Sequence, residues 1–183
     1  IFKLTQQFGP VPQHWAEFVN YCHRIKAQGM HVFVINEEQT WLASAWFEYL
    51  MLRMHGTELL SQITAGQLSY FDKRVQSVFQ EWKKLIDAKF FSSIHDIDTW
   101  QQTLPLFFRD EVGFMLMSTN LMRSVHGEKM HAQLEFNRFP SIYPIPSFEG
   151  VPVSLFFIAK SSPHKKHAER FLAYVAQPRV QRF

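Results

Sequence analysis

The strongest constraint on the fold is a helical pattern that leads directly into a buried strand. In the stretch VPQHWAEFVNYCHRIKAQG, apolar residues recur at helical spacing, which predicts an amphipathic helix. These residues are Trp15, Phe18, Val19, Cys22 and Ile25. Gly29 is expected to end the helix, and HVFVIN after it has the composition of a buried strand. A helix that feeds a strand is half of a β-α-β unit, so we predict an α/β protein with a parallel or mixed sheet.

Further helices follow, each with its own end signals. TWLASAWFEYLMLRMHG is predicted to end at Gly56, and TELLSQITAG is a second short helix that ends at Gly66. FDKRVQSVFQEWKKLIDAKFF is predicted as a helix with Asp72 at its N-cap. Its apolar face is expected to contain Val75, Val78, Phe79, Trp82, Leu85 and Ile86. DTWQQTLPLFFRD is predicted as another helix, which Asp98 can cap and Pro105 can kink.

The rest of the chain contains two further strand patterns and one helix pattern. EVGFMLMS and VSLFFIAK are predicted strands. The segment from Phe139 to Pro152 is rich in proline, so we expect an extended, irregular backbone that serves as a linker or hinge. SSPHKKHAERFLAYVAQP is predicted as a helix with Ser161 or Ser162 at its cap and Pro163 near its first position.

Composition and charge exclude several classes of function. A length of 183 residues allows one domain or slightly more. The net charge is +3 with scattered basic residues, and no nucleic-acid-binding module is recognisable, so nucleic acid is not a predicted partner. Cys22 is the single cysteine, which rules out a disulfide within the chain. No stretch has the apolar length of a membrane span. The chain starts at Ile1 without a signal-peptide pattern, so we expect it to be cut from a longer protein.

No pattern indicates catalysis, a metal site or a cofactor. Glu37 and Glu38 are adjacent, so their side chains diverge, whereas a glycosidase needs two carboxyl groups that converge on one bond. HGEKMH, residues 126–131, lacks the spacing of the zinc motif HExxH and is interpreted as a solvated loop. There is no G-x-S-x-G motif and no glycine-rich phosphate loop. We therefore predict that the protein is not an enzyme.

The most informative single residue is Trp41. It follows a predicted strand and the polar stretch NEEQT, and in α/β proteins the loops at the carboxyl ends of strands hold ligands. Base rates favour a core position for a tryptophan, but this place at the start of a helix favours a ligand platform. Trp46 lies inside the apolar run of the same helix and is assigned to the core.

Five motifs in order resemble the extracellular solute-binding proteins of bacterial ABC importers. They are VPQHWAEF, W-x5-FEYLMLRMHG, AGQLSYFDKRVQSVFQEWKKLIDAKFF, FFRDEVGFMLMSTN and FFIAKSSPHKKHAERFLAYVAQPRVQ. The resemblance spans nearly the whole chain and is strongest to the sugar-binding group that includes maltose-binding protein. Each motif alone is weak, but five in the correct order are fairly specific.

The resemblance implies one lobe of a two-lobed, type II periplasmic-binding-protein fold, a mixed sheet with flanking helices. Residues 1–138 would form the second lobe, residues 139–152 the hinge or crossing segment, and residues 153–183 a strand and helix of the first lobe. The remainder of the first lobe would be a missing partner from the same protein. The implied role is to carry a small solute of the sugar class to an ABC permease in the inner membrane. The implied location is periplasmic, or extracellular and membrane-anchored.

The resemblance also suggests the ligand contacts. Glu38, Gln39 and Trp41 occupy the positions where the family presents polar groups and then an aromatic ring to a sugar. After the later strand, where the family often has G-x-W, this chain has Ser118, Thr119 and Asn120. Thr119 and Asn120 are assigned to the ligand site as polar contacts, and a second aromatic clamp is lost because Asn120 cannot stack on a sugar. This departure argues against an oligosaccharide ligand, and it leaves a small polar ligand or a reduced binding role as the alternatives.

The sequence departs from the family pattern at one more position, and two alternative functions are considered. A glycine that the family has before that strand is replaced by Asp110.

The first alternative is a ligand-sensing input domain of a signalling protein, which a membrane span next to the chain would favour. The second is a carbohydrate-active hydrolase, against which the lack of an acid–base pair argues. We expect the isolated chain to bind weakly, since half a cleft lacks the contacts of the opposite wall.

Overall fold

A computed structural model describes residues 2–35, 40–92, 99–118, 134–150 and 156–181. The chain divides into two compact units, Ile1–Gly150 and Val151–Phe183. The first unit contains α1 (Phe2–Phe8), α2 (Trp15–Ala27), β1 (His31–Val34), α3 (Thr40–Thr64), α4 (Lys73–Asp87), β2 (Phe91–Ser92), α5 (Trp100–Phe108) and β3 (Val112–Phe114). The second unit contains α6 (Lys165–Val175) and α7 (Pro178–Gln181). The chain is therefore an α/β protein, as the sequence indicates.

The strands of the first unit form a parallel sheet in the order β2-β1-β3. β1 pairs with β2 through Phe33 and Phe91, and with β3 through Phe33 and Phe114. The described strands are thus all parallel, one of the two arrangements expected from the helix that feeds β1. β2 was not predicted, because the sequence AKFF continues the apolar pattern of α4 and the pairing partner of β2 is distant along the chain.

Aromatic rings from α2 and α3 cover one face of this sheet. Phe33 lies at the centre, with its ring centroid 6.2 Å from that of Phe18 and 4.5 Å from that of Trp46. The buried residues predicted for α2, Trp15, Phe18, Cys22 and Ile25, all belong to the core. Burial of this apolar surface is the main stabilising term, at roughly 25 cal/mol per Å².

The predicted helix ends are largely confirmed. Gly56 interrupts α3 with a φ of 76°, and Gly29 and Gly66 also have positive φ. The Asp72 carboxylate caps α4 by accepting a hydrogen bond from the Arg74 backbone N–H at 2.8 Å. These ends are local features, since each depends on a few neighbouring residues.

Several predictions of detail were wrong. α5 has Thr99 at its N-cap in place of Asp98, because the Thr99 N–H donates to the side chain of Gln102 at 2.8 Å. α6 begins after His164, later than Ser161 or Ser162 predicts. The hydroxyl of Ser162 instead accepts from the His164 N–H.

The remaining errors concern faces and short segments. Phe79 and Ile86 were placed on the apolar face of α4, yet both are exposed. α1 was not predicted. Within VSLFFIAK, residues 156–160 form no strand, and Phe156 and Phe157 are exposed. A strand needs a hydrogen-bonded neighbour, and no described residue of the second unit supplies one.

The described part of the proline-rich segment is anchored to α3 by a buried arginine. The Arg53 guanidinium is 1% exposed. Its Nε donates to the Phe139 carbonyl at 3.0 Å, Nη1 donates to the Phe148 carbonyl, and Nη2 donates to the Glu149 carboxylate. The Tyr49 ring stacks on Phe139 at 5.3 Å. We call these five residues the Arg53 cluster, and it fixes residues 139–150 onto the helix that begins with Thr40 and Trp41.

Candidate functional site

The three parallel strands end at one edge of the sheet, where three segments of the chain begin. Parallel strands have their carboxyl ends on the same side, and open α/β sheets bind ligands there. β1 is followed by residues 36–39 and then α3. β2 is followed by residues 93–98 and then α5. β3 is followed by residues 115–118. This edge is the candidate site, because each of these segments starts at a strand end that the sheet fixes.

Trp41 lies in the first turn of α3 at this edge, and its side chain is 47% exposed. Trp46 is only 4% exposed, and its ring lies 5.1 Å from Phe91 and 5.4 Å from Phe139. The core position predicted for Trp46 is confirmed. The Trp41 indole has the accessible surface that a ligand platform needs, although its role as a contact stays a prediction.

The other four predicted contacts lie outside the described residues. Glu38 and Gln39 fall between β1 and α3, and Thr119 and Asn120 fall after the stretch that follows β3. β1 and β3 are neighbours in the sheet. The two stretches therefore leave adjacent strands at the same edge, and the roles of these four residues remain predictions.

Trp100 was missed as a candidate because β2 was missed. Sequence reasoning continued a helix through Phe91, so Trp100 looked like an ordinary helical residue. In the structure it is the first residue of α5, the helix that follows β2, and its side chain is partly exposed. A tryptophan soon after a strand end is the same signal that identified Trp41. It becomes visible only when β2 is recognised.

A small cavity of about 110 Å³ lies beside the end of β3. Its walls are Leu104 and Phe107 of α5, residues 114–117 and residues 134–137. The lining is mainly apolar, with one carboxylate from Glu135, which accepts a hydrogen bond from the Thr5 hydroxyl at 2.9 Å. Such a lining offers little to the hydroxyl groups of a sugar, so we assign no ligand to it.

The described residues contain no group of three or more histidine, cysteine or acidic side chains placed to hold a metal ion. HGEKMH lies outside them. Cys22 is buried, and burial raises the pKa of its thiol, which disfavours the reactive thiolate. Burial also raises the pKa of Tyr49. The Tyr49 hydroxyl accepts a hydrogen bond from the Gly150 N–H, and this bond opposes the rise. These two groups serve the packing of the unit.

No helix among the described residues has both the length and the apolar character required to cross a bilayer.

Comparison with known proteins identifies the family. Residues 1–182 match the family model of bacterial extracellular solute-binding proteins. An uncharacterised ABC transporter extracellular-binding protein of Pyrococcus horikoshii is 18% identical over 160 residues, which cover 87% of this chain and 35% of that protein.

Solved structures share the fold. The bacterial solute receptor AcbH, described as having an exclusive preference for β-D-galactopyranose, has a TM-score of 0.67 and 22% identity, with 78% of this chain and 36% of that chain covered. A chitin oligosaccharide binding protein has a TM-score of 0.64 and 18% identity, with 76% and 36% covered. A sugar transporter of Bacillus licheniformis, solved with stachyose, has a TM-score of 0.65 and 16% identity, with 97% and 48% covered.

The chain therefore spans less than half the length of these relatives. The matches to solved structures establish the fold of a periplasmic-type lobe. Together with the family match over residues 1–182, they lead to one conclusion. The chain belongs to the bacterial extracellular solute-binding proteins.

Proposed function

We propose that this chain is the second lobe of a protein that binds a small sugar outside the cytoplasm and delivers it to an ABC permease. The observation that carries the proposal is the exposed Trp41 indole at the carboxyl edge of a parallel sheet. An indole face stacks on the apolar C–H face of a sugar ring. The sugar-binding structural relatives support the same class of ligand, and the family match supports the binding of an extracellular solute.

In this proposal, polar residues around Trp41 orient the sugar. Glu38 and Gln39 precede it on the loop after β1, and their oxygens would accept hydrogen bonds from sugar hydroxyls. Thr119 and Asn120 would contribute from the loop after β3. Sites for small ligands commonly combine an apolar wall with a few placed polar groups.

The proposed division of the chain follows the two-lobed architecture of the family. Residues 1–138 would form the second lobe, residues 139–152 the crossing, and residues 153–183 a part of the first lobe. Exposed aromatic side chains in the second unit support this division, because Phe157, Phe171 and Tyr174 offer apolar surface to a partner. Closure of the two lobes would trap the sugar, and ligand binding would select the closed state.

We also propose that the protein acts by binding alone, without chemistry, in the periplasm or in a membrane-anchored extracellular form. The extracellular family and its character as binding proteins support this statement. The permease would recognise the closed, loaded protein.

Saturation-transfer NMR on the chain with D-galactose or stachyose tests the ligand contact, because it detects millimolar binding. We expect transfer from the protein to the C–H protons of at least one sugar. Trp41→Ala should weaken that binding about tenfold, or about 1.4 kcal/mol, since truncation of a central aromatic contact commonly costs more than about 1 kcal/mol.

Phe71→Ala is the matched control, because Phe71 is also an exposed aromatic residue but lies in the connection between α3 and α4 and does not follow a strand. Its binding should equal that of the unmodified chain. Loss of transfer in both variants, or in neither, would contradict a role for Trp41.

A further inference from the structure

The last residues of the first unit, 139–150, are held against that unit at both ends, and we call this segment the arm. Its composition predicts an irregular linker or hinge, because Pro140, Pro144 and Pro146 disfavour regular secondary structure. An irregular backbone is not necessarily a mobile one, since other groups can supply the contacts that a helix or a sheet would supply. The contacts of the arm decide whether it bends.

The start of the arm is packed between α2 and α3. The Phe139 ring stacks on the Trp15 ring of α2 at 5.7 Å. On the side of α3, it lies 5.3 Å from the Tyr49 ring and 5.4 Å from that of Trp46. Pro140, the next residue, is buried. Contacts among these aromatic rings hold the start of the arm in place.

Backbone hydrogen bonds join the arm to the segment that leads into α2. The Ser141 N–H donates to the Gln13 carbonyl at 2.8 Å, and the Trp15 N–H donates to the Ser141 carbonyl at 2.9 Å. His14 and Ser141 thereby form a parallel bridge. A hinge residue has to change its φ and ψ, and these two bonds hold Ser141 in one conformation.

The Arg53 cluster joins the start of the arm to its end. One guanidinium donates both to the Phe139 carbonyl and to the Phe148 carbonyl. Its Cζ lies 5.6 Å from the centroid of the Tyr49 ring, a distance at which cation–π attraction acts. The Tyr49 hydroxyl accepts a hydrogen bond from the Gly150 N–H at 3.2 Å. Because Arg53 is buried, lifting the arm would leave its charge without these partners.

We propose that the arm is a rigid part of the first unit and that Arg53 is the residue that fixes it. This inference rests on the two-lobed function proposed above and narrows its crossing segment. Hinges are a few residues that absorb large changes in φ and ψ, and residues 139–150 are not among them. They turn as one body with α3, whose first turn carries Trp41. Movement between the lobes therefore leaves the arm and the proposed ligand wall in a constant relation.

Hydrogen exchange of the ligand-free chain tests the arm directly. We expect the amides of Ser141 and Trp15 to exchange at least about 100-fold more slowly than in an unstructured peptide. Their rates should be similar, because both hydrogen bonds open when the arm lifts. Exchange of both amides at the rate of an unstructured peptide would show that the arm lifts freely, and would overturn the inference.

Distances between pairs of nitroxide labels provide a second test. Labels at Ser147→Cys in the arm and Lys83→Cys on α4 should give a distance distribution as narrow as that of a reference pair, Glu17→Cys on α2 with Lys83→Cys. All three positions are exposed and Cys22 is buried, so labelling is directed to the introduced cysteines. A distribution broader than that of the reference pair would show that the arm flexes, and would overturn the inference.

Variants of Arg53 test its role in the same measurement. Arg53→Met should broaden the distribution of the arm pair about twofold, because the two carbonyl groups lose the donor that joins them. Arg53→Lys keeps the charge but lacks the guanidinium fork, so it should also broaden the distribution and serves if Arg53→Met does not fold. Glu149→Gln is the control and should leave the width unchanged. An unchanged width in a folded Arg53 variant would show that Arg53 does not fix the arm.

Neither measurement uses a sugar, so the outcomes separate this inference from the function on which it rests. A flexible arm in a chain that still binds sugar would overturn the inference alone. A rigid arm in a chain without sugar transfer would contradict the proposed function and leave the arm as a fixed part of the unit.

Discussion

At the scale of single residues, Arg53 shows how a buried charge can organise an irregular segment. Its guanidinium has 1% of its surface exposed, and carbonyl groups of Phe139 and Phe148 accept two of its hydrogen bonds. The carboxylate of Glu149 completes the set but is 44% exposed, so solvent weakens its attraction. The two carbonyl groups therefore contribute most to holding residues 139–150 against Arg53.

Arg53→Met is expected to lower the free energy of unfolding by about 2–4 kcal/mol, because two carbonyl groups lose a charged donor inside the protein. Glu149→Gln should cost less than about 1 kcal/mol, since its side chain is largely solvated. Urea unfolding followed by circular dichroism measures both values. Equal losses in the two variants would show that the ion pair, and not the carbonyl contacts, dominates the cluster.

His55 gives the chain a predicted sensitivity to acid. Burial lowers the pKa of His55 below its ordinary value near 6.5, while the backbone of Arg74 partly opposes the shift. The His55 Nε2 lies 3.0 Å from the Ser77 hydroxyl, which itself donates to the Arg74 carbonyl. The neutral imidazole therefore donates to Ser77.

A lowered pKa means that the unfolded chain binds more protons than the folded chain below pH 6.5. The contribution of His55 to stability is complete above that pH and is lost as pH falls through the folded pKa. His55→Gln keeps a donor for Ser77 and should reduce the fall in Tm between about pH 7 and pH 5. A fall of equal size in the variant would assign the acid sensitivity to other groups.

At the scale of elements, the helix ends explain one departure from the family pattern. α2 is followed by Gly29 and α3 by Gly66, both with positive φ. α4 and α5 end in the same way, but their left-handed residues are Lys89 and Asp110. Asp110 has a φ of 61°, so the backbone keeps the conformation that favours glycine although the side chain differs. The replacement leaves the path into β3 intact.

Lys89→Gly is expected to stabilise the first unit by about 0.5–1 kcal/mol, because Lys89 has a φ of 54° and glycine removes the steric cost of that conformation. The hydrogen bonds from Lys89 N–H to Ile86 and from Phe90 N–H to Leu85 are made by the backbone and are retained. Lys89→Ala is the control and should give no gain. Chemical unfolding compares the two, and an equal change would argue against strain at this position.

Elements also show what local patterns can predict. α2, the break in α3 and the cap of α4 were predicted because spacing and capping involve residues within one or two turns. β2 is two residues long and was absorbed into the helix before it. With β2 missing from the prediction, the position of Trp100 at a strand end could not be recognised.

At the scale of the whole molecule, the proposed function makes this chain one wall of a cleft. The match covers 35–48% of the relatives, and the sheet edge with Trp41 belongs to the unit Ile1–Gly150. In a two-lobed binding protein the ligand is buried between lobes, so most of its contacts need both walls.

Calorimetry on the isolated chain with D-galactose and stachyose is therefore expected to show no micromolar binding. A Kd in the millimolar range corresponds to about −4 kcal/mol, which a single wall can supply, whereas a micromolar Kd needs about twice that free energy. Micromolar affinity for the chain alone would show that this lobe is sufficient and would contradict a cleft shared between lobes.

The sequence by itself determined the α/β class, the core face of α2, the glycine breaks and the cap of α4, because each depends on neighbours along the chain. Only the tertiary structure decided the strand order, the existence of β2 and the partners of Arg53. Phe139 and Glu149 lie 86 and 96 positions away from Arg53, and β1 finds both of its partners far along the chain. The pairing of a strand and the neutralisation of a buried charge depend on contacts between distant segments, and no local periodicity encodes them.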